Sequence, residues 1–234
     1  MLYTTLKPPA AVLVRRIWNP IIVGADNIPS TGGVILASNH VGIAETVMMP
    51  AMIARPVRFL AKADLFRGGS FINTILAKLL IALKIMPIDR AGGAAASSAI
   101  EAGTAVLRDG GVLGIYPEGT RSPDGRMYRG KTGMARMALA TDAVIVPVAV
   151  TGSFEAQRGR RFIPRRRPRV RIEFLAPVRV GDLLGDNGTD AGTAPMRAVT
   201  DAVMDRIRAA TGQEYVDAYA SDVKRALCEQ AATA

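Results

Sequence analysis

The 234-residue chain contains little histidine, cysteine or aromatic side chain: one histidine, His40, one cysteine, Cys228, and an aromatic fraction of 5%. A single cysteine cannot form an internal disulfide, so we expect a reducing compartment and interpret Cys228 as a free surface thiol. One histidine without a cysteine cluster offers no ligand set typical of zinc, and no metal is predicted. The shortage of aromatic rings also argues against nucleic-acid binding by base stacking.

Long hydrophobic runs are absent as well. A membrane-spanning helix needs about 18 consecutive apolar residues, and the nearest candidate, FINTILAKLLIALKIMPI, is interrupted by Lys78 and Lys84. In the N-terminal segment, residues 1–20, basic residues follow the apolar patch, whereas a signal peptide has the reverse order. The sequence therefore predicts neither a signal peptide nor a transmembrane span. We expect an amphipathic helix in this segment, with residues such as Leu13 and Trp18 entering a membrane interface or packing on the domain.

Positive charge is in excess, with 30 Lys and Arg against 20 Asp and Glu and a net charge of +10. Such an excess indicates an anionic partner. Eight arginines lie within residues 158–171, where a solvated loop is the ordinary interpretation. No nucleic-acid motif or aromatic interleaving accompanies them, so no nucleic acid is expected. Each basic residue near an anionic leaflet contributes about 1 kcal/mol to the binding free energy. An anionic membrane surface or the phosphates of coenzyme A are therefore better candidates than nucleic acid for the partner of these arginines.

Short β-branched and apolar runs alternate along the chain with helical patterns. This alternation predicts an α/β fold, a single domain with a mostly parallel sheet flanked by helices. The predicted strands cover residues 21–23, 33–39, 57–62, 84–89, 112–117 and 143–150, with an edge strand at 169–175. The predicted helices cover residues 44–53, 71–83, 97–108, 131–141 and 195–210. We assign the main domain to residues 21–185 and expect 186–234 to form C-terminal helices that pack on it or are partly mobile.

His40 directly follows a predicted buried strand, the position where ligand sites of parallel sheets gather. Glu45, in the first turn of the next helix, can accept a hydrogen bond from one ring nitrogen and leave the other free as a base. Gly42 allows the intervening backbone to turn closely. The alternative is a structural histidine. Because the chain has no G-x-S-x-G nucleophile motif, the base would deprotonate a hydroxyl of a bound substrate.

Two further strands end in charged residues. The segment YPEGTRS places Glu118, Gly119, Thr120 and Arg121 in a turn whose hydroxyl and guanidinium suit a phosphate monoester. The alternative is a surface ion pair between Glu118 and Arg121, which would contribute little to the stability of the fold. The segment IMPIDR can bring Arg90 to the same phosphate, although a strand-end salt bridge between Asp89 and Arg90 also explains it.

Taken together, the segments NHVGIAE, FLAKADLF, IMPIDR, YPEGTRS and IVPVAV resemble the motif series of the glycerolipid acyltransferases, in order and spacing, from Ile28 to Gly152. This resemblance implies a glycerol-3-phosphate acyltransferase-like fold and transfer of an acyl group from acyl-CoA or acyl-carrier protein. The implied acceptor is a lysoglycerophospholipid, with 1-acylglycerol 3-phosphate converted to phosphatidate. It also implies a peripheral location on the cytoplasmic face of the cell membrane, and no prosthetic group.

The resemblance implies roles for individual residues. His40 is the general base, and Glu45 orients it. The acceptor phosphate and head group are bound by Arg90, Arg121, Glu118, Gly119, Thr120 and Lys62. Pro147 belongs to the last motif, V-P-V, which supports the site.

Two positions depart from the family pattern. The acid of the H-x-x-x-x-D motif is Glu45 here, and Gly42 replaces a residue that is often serine. These departures keep other interpretations open: an acceptor such as a glycolipid, glycerol 3-phosphate or another lysophospholipid, a thioesterase, or a non-catalytic lipid-binding protein with a degenerate site.

Overall fold

The structure is a computed structural model that describes residues 2–62, 85–88, 95–157, 164–184 and 193–233. In these ranges the strands are β1 (Ile21–Val23), β2 (Val34–Ser38), β3 (Val57–Lys62), β4 (Ile85–Ile88), β5 (Val112–Ile115), β6 (Met127–Tyr128), β7 (Val144–Thr151), β8 (Arg171–Phe174) and β9 (Tyr215–Val216). The helices are α1 (Leu2–Ile17), α2 (Ala44–Met52), α3 (Ala95–Arg108), α4 (Gly133–Thr141), α5 (Ser153–Ala156), α6 (Val180–Leu184), α7 (Thr193–Thr211) and α8 (Ala220–Thr233). The predicted helix 71–83 and Arg90 lie outside the described residues.

The main sheet has the strand order β1-β8-β7-β2-β5-β3-β4. Strands β7, β2, β5, β3 and β4 are parallel to one another, whereas β8 is antiparallel to β7 and parallel to β1. All five residues of β2 are buried, as expected for a central parallel strand with both faces covered. The prediction of a mostly parallel sheet flanked by helices is confirmed.

The prediction that residues 169–175 form an edge strand is wrong, because β8 lies between β7 and β1. Strand β1 pairs with β8, with Ile22 opposite Ile172. The alternation that suggested an edge has another cause. Ile172 and Phe174 are buried, whereas Arg171 and Glu173 are partly exposed. One face of β8 is therefore packed and the other partly solvated, and this pattern does not reveal whether a strand has neighbours on both sides.

Apolar side chains cover both faces of the sheet and form two cores. On one face, α1 and α2 contribute Val14, Met48 and Met49 to a cluster with residues of β2, β7 and β8. On the other face, α3, α4 and α7 pack against the sheet, with buried residues that include Val106, Leu107, Met134, Met137, Val199, Val203 and Ile207. The helix predicted for residues 195–210 is α7.

Some apolar residues of α1 and Trp18, which follows it, pack on the domain, and other apolar residues of α1 are exposed. Val14 is buried in the core, and the indole nitrogen of Trp18 donates a hydrogen bond to the carbonyl of Pro164. Val12 and Leu13 are 58% and 56% exposed. Contact of these exposed residues with a membrane stays a prediction. No helix within the described ranges has the length and apolar character required to cross a membrane.

The C-terminal part of the chain returns to the main domain through β9. This strand pairs in parallel with β6, with Met127 opposite Tyr215. The following helix, α8, begins at the fully buried Ala220. This pairing brings α8 to the edge of the sheet where the candidate site lies.

Candidate active site

The candidate site lies where the parallel strands β2, β5 and β7 end at the same edge of the sheet. His40 follows β2, and the turn of residues 117–122 follows the neighbouring β5. The backbone joins the two segments, because Ser122 N donates to the His40 carbonyl at 2.7 Å and His40 N donates to Glu118 Oε1 at 2.9 Å. The structure thus brings together two of the segments that the sequence analysis singled out.

The ring of His40 is oriented by two contacts. Its Nδ1 lies 3.2 Å from Glu45 Oε1, and its face stacks on Tyr116 with 3.8 Å between ring centroids and 11° between planes. An ionised carboxylate can accept hydrogen bonds but cannot donate them, so this pairing favours the tautomer with the proton on Nδ1. The Nε2 lone pair is then available to a substrate, and the side chain is 16% exposed.

Glu45 is fully buried, and three donors hold its carboxylate. In addition to His40, Gly42 N donates to Oε1 at 2.8 Å and Ser153 Oγ donates to Oε2 at 2.5 Å. Burial by itself would raise the pKa of Glu45, but the hydrogen bond and charge of His40, with the hydrogen bonds from Ser153 and Gly42, outweigh it, so the pKa is lowered. The carboxylate is therefore ionised at neutral pH. Ser153 was missed by the sequence analysis, although it lies only two residues beyond the end of β7.

The two departures from the family pattern are structurally linked. A Cβ built on Gly42 would lie 2.3 Å from Ser153 Oγ, 2.7 Å from Gln157 Oε1 and 3.0 Å from Glu45 Oε2. A side chain at position 42 would therefore require these partners to move from their present positions. The longer side chain of Glu45 and the hydroxyl of Ser153 occupy the space that the absent side chain leaves.

The environment of His40 favours the neutral imidazole. Burial lowers the pKa of His40, and the hydrogen bond and charge of Glu45 only partly offset this effect. The positive charges of Arg121 and Lys224 lower the pKa further. An unprotonated ring is the form that a general base requires.

Asn39 and Gln157 fix the backbone around His40 and have no role in the sequence-based prediction. Asn39 exchanges two hydrogen bonds of 2.9 and 2.8 Å with the backbone of Val150 in β7. Gln157 Oε1 accepts from the N–H groups of Ile43 and Ala44 at 2.6 and 2.8 Å, and so satisfies free donors at the start of α2. All four bonds span more than 100 positions of sequence, and local patterns do not reveal such contacts.

Glu118 differs from both interpretations given to it from the sequence. Its side chain is 1% exposed, and its two oxygens accept hydrogen bonds from the backbone of His40 and of Tyr128. It is neither a surface ion-pair partner of Arg121 nor placed to bind a phosphate directly. Burial raises the pKa of Glu118 to about 7, against the lowering effect of the two backbone hydrogen bonds. The residue instead links the His40 segment to the turn and to β6.

Three cations surround the turn and form what we call the cationic rim: Arg121, Lys131 and Lys224. Lys224 Nζ donates to Thr120 Oγ1 at 2.9 Å. The side chain of Lys131 passes close to Gly119, since a Cβ built there would lie 3.3 Å from Lys131 Cε. Within the described residues, none of the three cations has a carboxylate within ion-pair distance. Lys131 and Lys224 were not predicted, because nothing in their local sequence marks them.

The remaining predicted residues are placed as follows. Lys62 ends β3, at the same edge of the sheet, and Pro147 lies opposite Ala37 in the central pair of strands. Binding by Lys62 and Arg90 stays a prediction. Cys228 is a free, exposed thiol, as predicted. The arginines at residues 165–167 are exposed.

Comparison with known proteins finds similarity to acyltransferases. The acyltransferase family profile matches residues 19–151, more than half of the chain. A 1-acyl-sn-glycerol-3-phosphate acyltransferase of Borreliella burgdorferi is 33% identical over 130 residues, 56% of this chain and 50% of that protein. One of Cocos nucifera is 28% identical over 172 residues, 73% of this chain and 54% of that protein. The chain thus spans about half the length of these curated relatives.

The fold is also similar to that of a solved structure. The crystal structure of the 1-acyl-sn-glycerophosphate acyltransferase PlsC from Thermotoga maritima superposes with a TM-score of 0.63 at 22% sequence identity. The superposition covers 87% of this chain and 78% of that one. At this level of identity the similarity is one of fold.

Proposed function

The chain belongs to the acyltransferase family, and from that premise we propose that it transfers a fatty acyl group from acyl-CoA to the free hydroxyl of a lysoglycerophospholipid. In its most specific form, the proposal is the conversion of 1-acylglycerol 3-phosphate to phosphatidate. The observation that carries it is the dyad of His40 and Glu45, with Nδ1 and Oε1 3.2 Å apart, beside a rim of three cations without carboxylate partners in the described residues.

In the proposed reaction, His40 Nε2 takes the proton of the acceptor hydroxyl as the hydroxyl oxygen attacks the thioester carbonyl of the donor. The tetrahedral intermediate collapses with cleavage of the C–S bond. The coenzyme A thiolate leaves and receives the proton from the His40 imidazolium, which returns the ring to its neutral form. Glu45 stabilises the imidazolium in between and keeps its ring in place. General-base catalysis by His40 is expected to contribute roughly 10²–10⁴-fold in rate.

The proposed phosphate site also affects the base. Arg121 can bind two phosphate oxygens at once, and the charges of Arg121 and Lys224 lower the pKa of His40. A bound phosphate monoester neutralises part of this charge, so the basicity of His40 increases when the correct acceptor is present. A phosphate on the acceptor is therefore expected to increase the rate of proton abstraction as well as the affinity.

The proposal is tested by measuring thiol release from palmitoyl-CoA with lysophosphatidate, glycerol 3-phosphate, lysophosphatidylinositol or no acceptor. We expect release that requires lysophosphatidate and yields phosphatidate, and its loss in His40→Ala with an unchanged melting temperature. Release with another acceptor keeps the reaction and changes the substrate. Equal release without acceptor identifies a thioesterase, and turnover by His40→Ala equal to wild type contradicts the assigned base.

We also propose that the protein docks on an anionic membrane surface through α1. The exposed Val12 and Leu13 lie next to Arg15 and Arg16 on the last turns of this helix, and the exposed arginines at residues 165–167 add charge. Co-sedimentation with vesicles should increase with phosphatidylglycerol content and decrease with salt. Binding that depends on neither would contradict this docking mode.

A further inference from the structure

We propose that Lys224, on the C-terminal helix α8, binds the acceptor phosphate together with Arg121, an inference that rests on the proposed transfer to a phosphorylated acceptor. Lys224 lies 73 positions beyond residue 151, where the match to the family profile ends. It nevertheless reaches the turn of residues 117–122, because its Nζ donates to Thr120 Oγ1 at 2.9 Å.

The position of Lys224 is fixed by backbone pairing. β9 pairs with β6, and Arg129 N donates to the carbonyl of Ala218 at 3.0 Å, directly before α8 begins. The same strand β6 holds the turn, since Tyr128 N donates to Glu118 Oε2 at 3.0 Å. Helix α8 and the phosphate-binding turn are therefore attached to one short strand, and Lys224 is placed by the same framework that positions His40.

The charge around Lys224 is unbalanced without a ligand. Its side chain is partly buried, and no carboxylate of the described residues lies within ion-pair distance of it. Burial lowers the pKa of Lys224, and the positive charge of Arg121 lowers it further, while Glu118 acts in the opposite direction. Two neighbouring cations that repel each other gain from an anion that both can contact.

The hydrogen-bonding capacity of Lys224 fits this role. An ammonium group has three donors, and the described residues supply a hydrogen-bond acceptor for one of them, Thr120 Oγ1. The remaining donors, with the planar guanidinium of Arg121, can contact different oxygens of one phosphate. Two cations suit the dianion of a phosphate monoester better than the single charge of a diester. Lys224 is therefore expected to favour acceptors whose phosphate is terminal, such as lysophosphatidate.

The test compares Lys224→Met with the matched control Arg225→Met. Arg225 is the next residue on the same helix, is 69% exposed and pairs with Asp222, so its variant removes one positive charge away from the turn. With palmitoyl-CoA as donor, Lys224→Met should raise the KM for lysophosphatidate about 10- to 100-fold, the loss expected for a hydrogen bond to a charged group. The KM for lysophosphatidylinositol should change less, and Arg225→Met should match wild type.

Two additional measurements distinguish failure of this inference from failure of the proposed function. Lys224→Arg retains the charge and should restore most of the affinity; a variant that restores nothing indicates a packing role and overturns the inference. An unchanged KM in Lys224→Met, with wild-type turnover intact, also overturns it. Calorimetric titration with glycerol 3-phosphate tests binding without acyl transfer. Binding that weakens in Lys224→Met supports the site even if wild type acylates none of the acceptors, whereas no binding by wild type overturns it.

Discussion

Replacement of Glu45 by aspartate is predicted to weaken catalysis, although aspartate is the residue of the family pattern at this position. The Glu45 carboxylate accepts hydrogen bonds from His40 Nδ1 at 3.2 Å, Gly42 N at 2.8 Å and Ser153 Oγ at 2.5 Å. Aspartate is shorter by one C–C bond, about 1.5 Å. If its carboxylate stays with Ser153, the distance to Nδ1 exceeds the roughly 3.2 Å limit of an N–H···O hydrogen bond.

The size of the effect follows from the bond that is lost. A hydrogen bond to a charged group contributes about 1.5–3 kcal/mol, and the bond between Glu45 and His40 strengthens when the imidazolium forms. With 1.36 kcal/mol for each factor of ten in rate, kcat should fall about 10- to 100-fold. Water has little access to replace the bond, because Glu45 is fully buried.

The assay is thiol release at saturating acceptor, with kcat and KM determined separately. The KM for the acceptor should stay near the wild-type value, since the hydrogen bonds of Glu45 are with His40, Gly42 and Ser153 and not with the cationic rim. Ser153→Ala is the companion variant: it removes one partner of the carboxylate without shortening Glu45, and we expect a smaller loss of kcat. A Glu45→Asp enzyme as fast as wild type, or faster, would refute the coupling of Glu45, Gly42 and Ser153.

Two further predictions concern pH. Burial and the charges of Arg121 and Lys224 lower the pKa of His40 below its ordinary value near 6.5. In a pH profile of kcat/KM, the loss of activity on the acid side should therefore have its midpoint below pH 6.5, and this midpoint should move upward in Lys224→Met. A wild-type midpoint above pH 6.5 contradicts the assignment of His40 as the base. The pKa of Glu118 is raised from 4.5 to about 7 in the folded protein, so the fold favours the protonated carboxyl group. The resulting stabilisation is fully present below about pH 4.5 and is lost as the pH rises to 7. Glu118→Gln should therefore flatten the decrease in the free energy of unfolding between pH 4.5 and 7, measured by urea titration, and an unchanged slope would show that Glu118 is not its source.

The sequence predicts the strands and the position of His40 well, because both depend on local patterns. Apolar runs of strand length, interrupted by Gly and Pro, mark β2, β5 and β7, and the ends of parallel strands meet at one edge. The same rule would have found Ser153, which follows Gly152 at the end of β7. It would not have found Lys224, whose contact with Thr120 spans 104 positions and depends on the pairing of β9 with β6.

The motif around Glu118 shows a different limit of sequence-based prediction. Its position in YPEGTRS indicated importance, and the presence of Arg121 three residues later suggested an ion pair or a shared ligand. The structure separates them: Glu118 is buried and Arg121 is exposed. The two oxygens of Glu118 accept hydrogen bonds from the backbone of His40 and of Tyr128 in β6, and the local pattern of the turn does not reveal these contacts.

The contacts of Glu45 argue against a degenerate site. A buried carboxylate without partners is costly to ionise, and a site released from catalysis has no need to keep one charged and aimed at a histidine. Here Gly42, Ser153 and His40 all donate to Glu45 and keep its pKa low despite full burial. The space required by the longer side chain is available because residue 42 has no Cβ. The two departures from the family pattern thus compensate each other, and they preserve the feature that acyl transfer would use, an ionised acid on Nδ1 with Nε2 open to the acceptor.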